Sequence, residues 1–118
     1  MRWLLLAVFV FSASSISVGQ SGDGNKLLER CQHAVKMLGA DASEFNKTNA
    51  FDSGYCLGMV EGVVSFADDG CFPADVTFAQ GERVVVKYLT DHPNQLHWGA
   101  PVLVRLALVD AFPCPAKK

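Results

Sequence analysis

Apolar residues recur at three- and four-residue steps through residues 25–38 of this chain. This is the spacing of one face of an amphipathic helix. Gly39 follows directly, as glycine does at many helix C-termini. The pattern therefore predicts a first helix whose buried stripe consists of Leu27, Leu28, Cys31, Ala34, Val35 and Leu38.

Residues 40–49 are polar and typical of a turn, and the apolar spacing resumes after them. A second helix is predicted from about Ala50 to Asp68, closed by Asp69 and Gly70. We expect the buried side chains of this helix to be Phe51, Cys56, Met59, Val60, Val63 and Phe66.

Residues 77–80, Thr-Phe-Ala-Gln, have the form of a capping box, which predicts that a third helix starts at Thr77. This helix would end near residues 91–93. Residues 84–86 are three valines, so a short strand there stays open as an alternative. The residues expected to be buried are Val84, Val85, Tyr88 and Leu89.

Residues 100–111 are mostly apolar and predict a last helix, with Pro101 tolerated in its first turn. Two prolines around Cys114 stop it. Together these segments predict an all-α fold, a small bundle of four to five helices.

The four cysteines lie in a short chain in which an even count is typical of a disulfide framework. Cys31 lies eight residues before Gly39 and Cys56 eight residues after Thr48. In an antiparallel helical hairpin both would lie about 12 Å from the turn. Of the three pairings, we therefore expect Cys31–Cys56, which leaves Cys71–Cys114.

The N-terminus has the order of a secretory signal peptide: a positive charge at Arg2, an apolar run over residues 4–11, then small residues up to Gly19. The apolar run is too short for a membrane span, which needs roughly 20 residues. We expect cleavage near Gly19, with residues 1–19 as the signal peptide and residues 20–118 as one periplasmic domain, without a membrane anchor after cleavage.

Composition excludes several functions for that domain. Loss of Arg2 changes the formal net charge from −2 to −3, so nucleic acid is an unexpected partner. The cysteines lack CxxC spacing and no paired histidines accompany them, which disfavours a metal site. Oxidised cysteines offer no thiolate nucleophile, and no G-x-S-x-G motif is present. We expect no catalytic residue, no metal and no cofactor, and hence a binding protein rather than an enzyme.

Two features of the second helix need an explanation. Gly54, Gly58 and Gly62 share one face, although each interior glycine costs roughly 1 kcal/mol relative to alanine. They indicate close packing, either within the chain or at a homodimer or partner interface. Asp68 and Asp69 oppose the helix dipole. Either they are simply solvated, or they contact a basic partner.

These segments, in their order, resemble a known family. The central-helix motif Phe-x-x-Gly-Tyr-Cys-x-Gly at residues 51–58 is followed by Cys71-Phe-Pro, by VVVKYLTDHP at residues 84–93 and by the segment from Ala107 to Cys114. The chain is similar to the Rap/Tai family of periplasmic immunity proteins, the resistance-associated and type VI amidase immunity proteins. The resemblance implies an all-helical exported domain, often a homodimer.

The resemblance also implies a function. The family's best-known members bind and occlude peptidoglycan-cleaving amidase effectors that type VI secretion delivers, so a cell-wall amidase effector is the expected partner. The runner-up hypothesis is a small periplasmic stress chaperone. Similarity in position to the family's toxin-contacting segments implies the partner-binding residues Glu82, Arg83, Lys87, Asp91, His92, Asn94 and Gln95.

Overall fold

The computed structural model describes residues 22–116. Four α-helices account for most of this part, and two short 3₁₀ turns, Ala42–Glu44 and Pro93–Gln95, lie in the connections. The all-α prediction is confirmed, and residues 84–86 are helical throughout. No β-strand occurs within residues 22–116. The helices are α1 (Gly24–Met37), α2 (Lys47–Phe66), α3 (Phe78–Asp91) and α4 (Ala100–Ala111).

Side-chain caps set where the helices begin. Thr77 accepts a hydrogen bond from the backbone N–H of Gln80 at 3.1 Å, so α3 starts where the capping sequence predicted. α2 begins at Lys47, three residues earlier than expected, because Asn46 and Asn49 form a reciprocal capping box. An asparagine at both positions departs from the usual Ser/Thr and Glu/Gln form of this box, which is why the spacing rule missed it.

α1 and α2 form the predicted antiparallel hairpin. The disulfide Cys31–Cys56 joins them with a Cα–Cα distance of 5.1 Å, and both cysteines are fully buried. Closer to the turn, Asp52 on α2 accepts a 2.7 Å hydrogen bond from Nδ1 of His33 on α1. Nε of Arg30 lies 3.7 Å from the same carboxylate. A buried carboxylate is stable only with such partners, so Asp52 ties the two helices together.

The second disulfide, Cys71–Cys114, closes the other end of the bundle. Beside it, the N–H of Cys71 donates to the carbonyl of Phe112 at 3.1 Å, and the rings of Phe72 and Phe112 meet edge to face at 6.0 Å. The disulfide between Cys71 and Cys114 was also predicted. It joins the segment after α4 to the connection between α2 and α3.

The core lies between all four helices and has members on each of them. The expected burial of Phe51 and Phe66 is wrong, because their side chains are 59% and 85% exposed. Leu38, at the end of the α1 stripe, is exposed as well. Fully or almost fully buried side chains include Leu27, Cys31, Ala34, Cys56, Val60, Val85, Leu89, Leu103, Val104, Ala107 and Leu108.

The α3–α4 connection lies against the start of α1. Backbone N–H groups of Gly24 and Asn25 donate to the carbonyls of Trp98 and Leu96, at 3.0 and 3.2 Å. The connection is therefore held in place although it contains little regular structure. Among the helices of residues 22–116, none has the length and apolarity that a membrane crossing requires. The predicted signal peptide lies outside the described residues.

Candidate partner-binding surface

The exposed side of α3 carries several of the predicted partner-binding residues. Arg83 and Lys87 are exposed, and Lys87 pairs with Asp91 one turn later at 2.6 Å. Asn94 is exposed in the following connection. These four side chains are accessible to a partner.

Glu82 does not lie on this surface, because only 4% of it is exposed. It follows Gly81 on the buried side of α3. Loss of hydration disfavours the charged carboxylate and raises the pKa of Glu82, while the positive charge of Arg83 opposes this effect. Glu82 therefore has to be removed from the predicted contact set.

Two stacked rings lie at the C-terminal end of α3. The ring of His92 stacks on that of Tyr88 with centroids 4.0 Å apart, and Nδ1 of His92 donates to the carbonyl of Tyr88 at 2.7 Å. The hydroxyl of Tyr88 donates to the side-chain oxygen of Gln95 at 2.9 Å. The structure thus brings together His92 and Gln95, two predicted residues, through Tyr88, which was expected only to fill the core.

The glycine face of α2 points away from the rest of the bundle. A Cβ added to Gly54, Gly58 or Gly62 would meet no atom within 4 Å. Close packing within the chain, one of the two interpretations of these glycines, is therefore wrong. Phe51 lies exposed on the same part of the helix surface. The remaining interpretation is a contact with another molecule.

A groove of about 810 Å³ opens between the C-terminal half of α2 and the outer side of α4. Three of its apolar side chains are substantially exposed: Phe66 by 85%, Val102 by 53% and Leu106 by 37%. Large exposed apolar surfaces on small proteins commonly mark interaction sites. The remaining lining residues are Val63, Ala67, Asp68, Asp69, Tyr88, Pro101, Arg105, Val109 and Asp110.

Three carboxylates and one guanidinium surround the apolar part of the groove. Arg105 donates to both carboxylate oxygens of Asp69, at 3.1 Å from Nε and 2.7 Å from Nη2. These hydrogen bonds lower the pKa of Asp69, and the same pairing raises the pKa of Arg105. Asp68 and Asp110 add two further negative charges, so the rim is acidic.

The sequence pattern does not predict this groove. It predicts Phe66 in the core and α4 as a mostly apolar helix, and it does not distinguish Val102 and Leu106 as surface residues. A signal was nevertheless present, because apolar residues occur around most of α2 and α4 rather than on one stripe. More apolar faces than one core can cover indicate an interface.

The ionisable side chains and cysteines bear on whether the chain could bind a metal or supply a thiolate. Within residues 22–116, no group of three or more His, Cys, Asp or Glu side chains is placed to hold a metal ion. All four cysteines are in disulfides. What the arrangement offers is a stapled helical body with accessible apolar and charged surfaces.

A family model described as Rap1a immunity proteins matches residues 23–114, which is most of the chain and includes all four cysteines. No curated protein and no solved structure matches.

Proposed function

The chain belongs to the Rap1a immunity proteins, and from this membership we propose that it is a periplasmic immunity protein for a peptidoglycan-cleaving amidase effector of type VI secretion. Immunity proteins act on a cognate effector by binding it. The mechanism we propose is occlusion, in which a rigid helical surface of this chain covers the effector's substrate groove. Such an inhibitor needs no catalytic residue of its own.

The single observation that carries this proposal is the family match. The cross-links between the helices support it. Two disulfides and the contacts of Asp52 with His33 and Arg30 hold the helices together. A pre-organised surface loses little conformational entropy on binding, which favours tight association. Stability of this kind suits a protein that works in an oxidising compartment.

We place the effector contact on the outer side of α3 and its following connection. The proposed residues are those of the predicted set that the fold leaves accessible. His92 and Gln95 are half-buried and immobilised by Tyr88, so they would present a fixed edge to the partner. The exposed members are Arg83, Lys87, Asp91 and Asn94.

Export belongs to the same proposal. Residues 1–19 would direct the chain to the periplasm and be removed near Gly19. Amidases that cleave peptidoglycan act there, so an inhibitor must be in the same compartment. Mass spectrometry of the protein recovered from the periplasm would test this, since retention of residues 1–19 contradicts cleavage.

A protection assay tests the function itself. Cells that produce the candidate effector, a periplasm-directed cell-wall amidase, should lyse alone and grow when the full-length chain is produced with it. The matched control is the chain without residues 1–19, which should fail to protect. Lysis in the presence of the exported chain would contradict the proposal. Suppression of protein aggregation at acidic pH without protection would favour the stress-chaperone hypothesis.

A homodimer is the second part of the proposal, and the open glycine face of α2 is its proposed interface. Without Cβ atoms at Gly54, Gly58 and Gly62, a second copy can approach the helix backbone closely. Phe51 would add apolar area at the edge of the contact. Sedimentation of the wild type and of Gly58→Leu tests this, because a large side chain at the centre of the interface should produce monomers.

A further inference from the structure

The groove between α2 and α4 leaves apolar surface uncovered in the isolated chain. Phe66 is the most exposed of its large apolar side chains, at 85%. Leu106 and Val102 lie opposite it on α4. Water in contact with these side chains is released when another molecule covers them, which favours binding of an apolar partner.

The charges around the groove specify the partner further. Asp68 and Asp110 have no opposite charge among the lining residues other than Arg105, and both Nε and Nη2 of Arg105 already donate to Asp69. The C-terminal end of α2 lies at the same place and adds the partial negative charge of its last carbonyl groups. A cationic group is therefore the electrostatic complement of this rim.

A second copy of the chain does not fit these charges. If two grooves met across a two-fold axis, each acidic rim would face another. Like charges brought together in this way oppose association. The glycine face of α2 remains the proposed surface for self-association.

We propose that this groove is a docking site for a segment of the effector that carries apolar side chains next to lysine or arginine. The inference rests on the proposed immunity function and adds the chemistry of the partner. A groove of about 810 Å³ has room for several side chains. Tyr88 lines the groove and stacks on His92, so a bound segment would continue onto the proposed α3 contact.

A pair of model peptides tests the chemistry without the effector. One is an amphipathic peptide of Leu, Phe and Lys about 14 residues long, roughly 21 Å as a helix; in the other every Lys is Glu. NMR titration of the mature protein should show binding of the Lys peptide, with amide shifts concentrated in residues 63–69 and 101–110. Equal binding of both peptides, no binding, or shifts centred elsewhere would overturn the inference.

Two pairs of variants locate the site. Leu106→Asp should weaken binding of the Lys peptide about tenfold or more, whereas Leu57→Asp, a change at a similarly exposed leucine outside the groove, should not. Asp68→Lys combined with Asp110→Lys should also weaken it, unlike Asp75→Lys at an exposed site in the α2–α3 connection. Circular dichroism verifies that each variant is folded. Similar losses from the control variants would overturn the proposed location.

The protection assay separates this inference from the proposed function. If the wild type protects against the amidase and Leu106→Asp protects equally well, the groove inference fails and the immunity function stands. If the wild type protects and Leu106→Asp does not, while Leu57→Asp does, both are supported. If the wild type fails to protect, the immunity function fails, and the assignment of the groove to an effector fails with it.

Discussion

Arg105 on α4 and Asp69 just after α2 form a two-pronged ion pair, with Nε and Nη2 of the guanidinium at 3.1 and 2.7 Å from the two carboxylate oxygens. The pair joins positions 36 residues apart in the chain. It lies on the rim of the groove, where it holds the end of α2 against α4. Asp68 and Asp110 are the other two carboxylates of the rim, and neither donates to or accepts from this pair.

The Arg105–Asp69 pair should make stability depend on pH. Because Arg105 lowers the pKa of Asp69 in the folded state, the ionised carboxylate stabilises the fold above its unfolded pKa of about 3.9. That contribution is lost as the pH falls through the lower folded value. Thermal unfolding should therefore show Arg105→Met slightly less stable than the wild type at pH 7. A difference that persists undiminished in strong acid would contradict this.

Glu82 should affect the pH dependence of stability in the opposite direction to Asp69. Burial raises its pKa in the folded state, so the protonated form is favoured there and its contribution to stability is lost as the pH rises through that value. Glu82→Gln should therefore raise the melting temperature at pH 7 and change it less at pH 4. Glu61→Gln, at an exposed glutamate of α2, is the matched control and should change little at either pH. Destabilisation by Glu82→Gln at pH 7 would contradict the prediction.

The two disulfides should differ in their contribution to the free energy of unfolding. Chain entropy assigns about 3.5 kcal/mol to Cys31–Cys56 and about 4 kcal/mol to Cys71–Cys114 from loops with separations of 25 and 43 residues. Replacing the buried pair with alanines also leaves a cavity. The Cys31→Ala, Cys56→Ala variant should therefore be the less stable of the two double variants in urea. Greater loss for the exposed pair would show that loop length dominates.

Glycine-to-alanine changes on α2 and on α3 should have opposite effects on the free energy of unfolding. In a monomer, Gly58→Ala should stabilise the chain by about 1 kcal/mol, because the added Cβ meets open space and alanine favours a helix. A Cβ at Gly81 would lie 2.9 Å from Cγ1 of buried Val60. Overpacking of about 1–3 kcal/mol then offsets the helical gain, so Gly81→Ala should destabilise. Urea unfolding at low protein concentration measures both.

Concentration dependence tests the proposed dimer within the same series. If α2 forms the interface, Gly58→Ala should be less favourable at high than at low protein concentration, because the added methyl group separates the two helices. Gly81 faces Val60 inside the chain, so its variant should show no such dependence. If Gly58→Ala increases stability by the same amount at all protein concentrations, the proposed dimer interface is contradicted.

The helices and their boundaries were largely predictable from local information. The three- and four-residue spacing of apolar positions located α1 and α2, and the mostly apolar segment 100–111 located α4. The capping sequence located α3, whose N-cap residue is Thr77. The cysteine pairing was predictable for a related reason. In an antiparallel helical hairpin, residues at equal distances from the turn lie side by side. Cys31 and Cys56 are at equal distances from the turn between α1 and α2.

Only the tertiary structure decided which apolar face of each helix is buried and which stays exposed. α2 and α4 have apolar residues on more than one side, so periodicity alone did not distinguish the covered face from the open one. Phe66 was assigned to the core for this reason, and the groove was missed. Glu82 was expected on the partner-binding surface because its position is similar to the family's toxin-contacting segments, whereas the orientation of α3 turns it inward.

The approximate positions of the helices, the cap of α3 and the disulfide partners thus followed from the sequence by itself, because they depend on neighbours in the chain and on helix geometry. The exposed groove, the buried Glu82 and the outward-facing glycines were decided by the packing of all four helices. Packing depends on contacts between residues far apart in the chain, such as Asp69 and Arg105, and no local pattern specifies these.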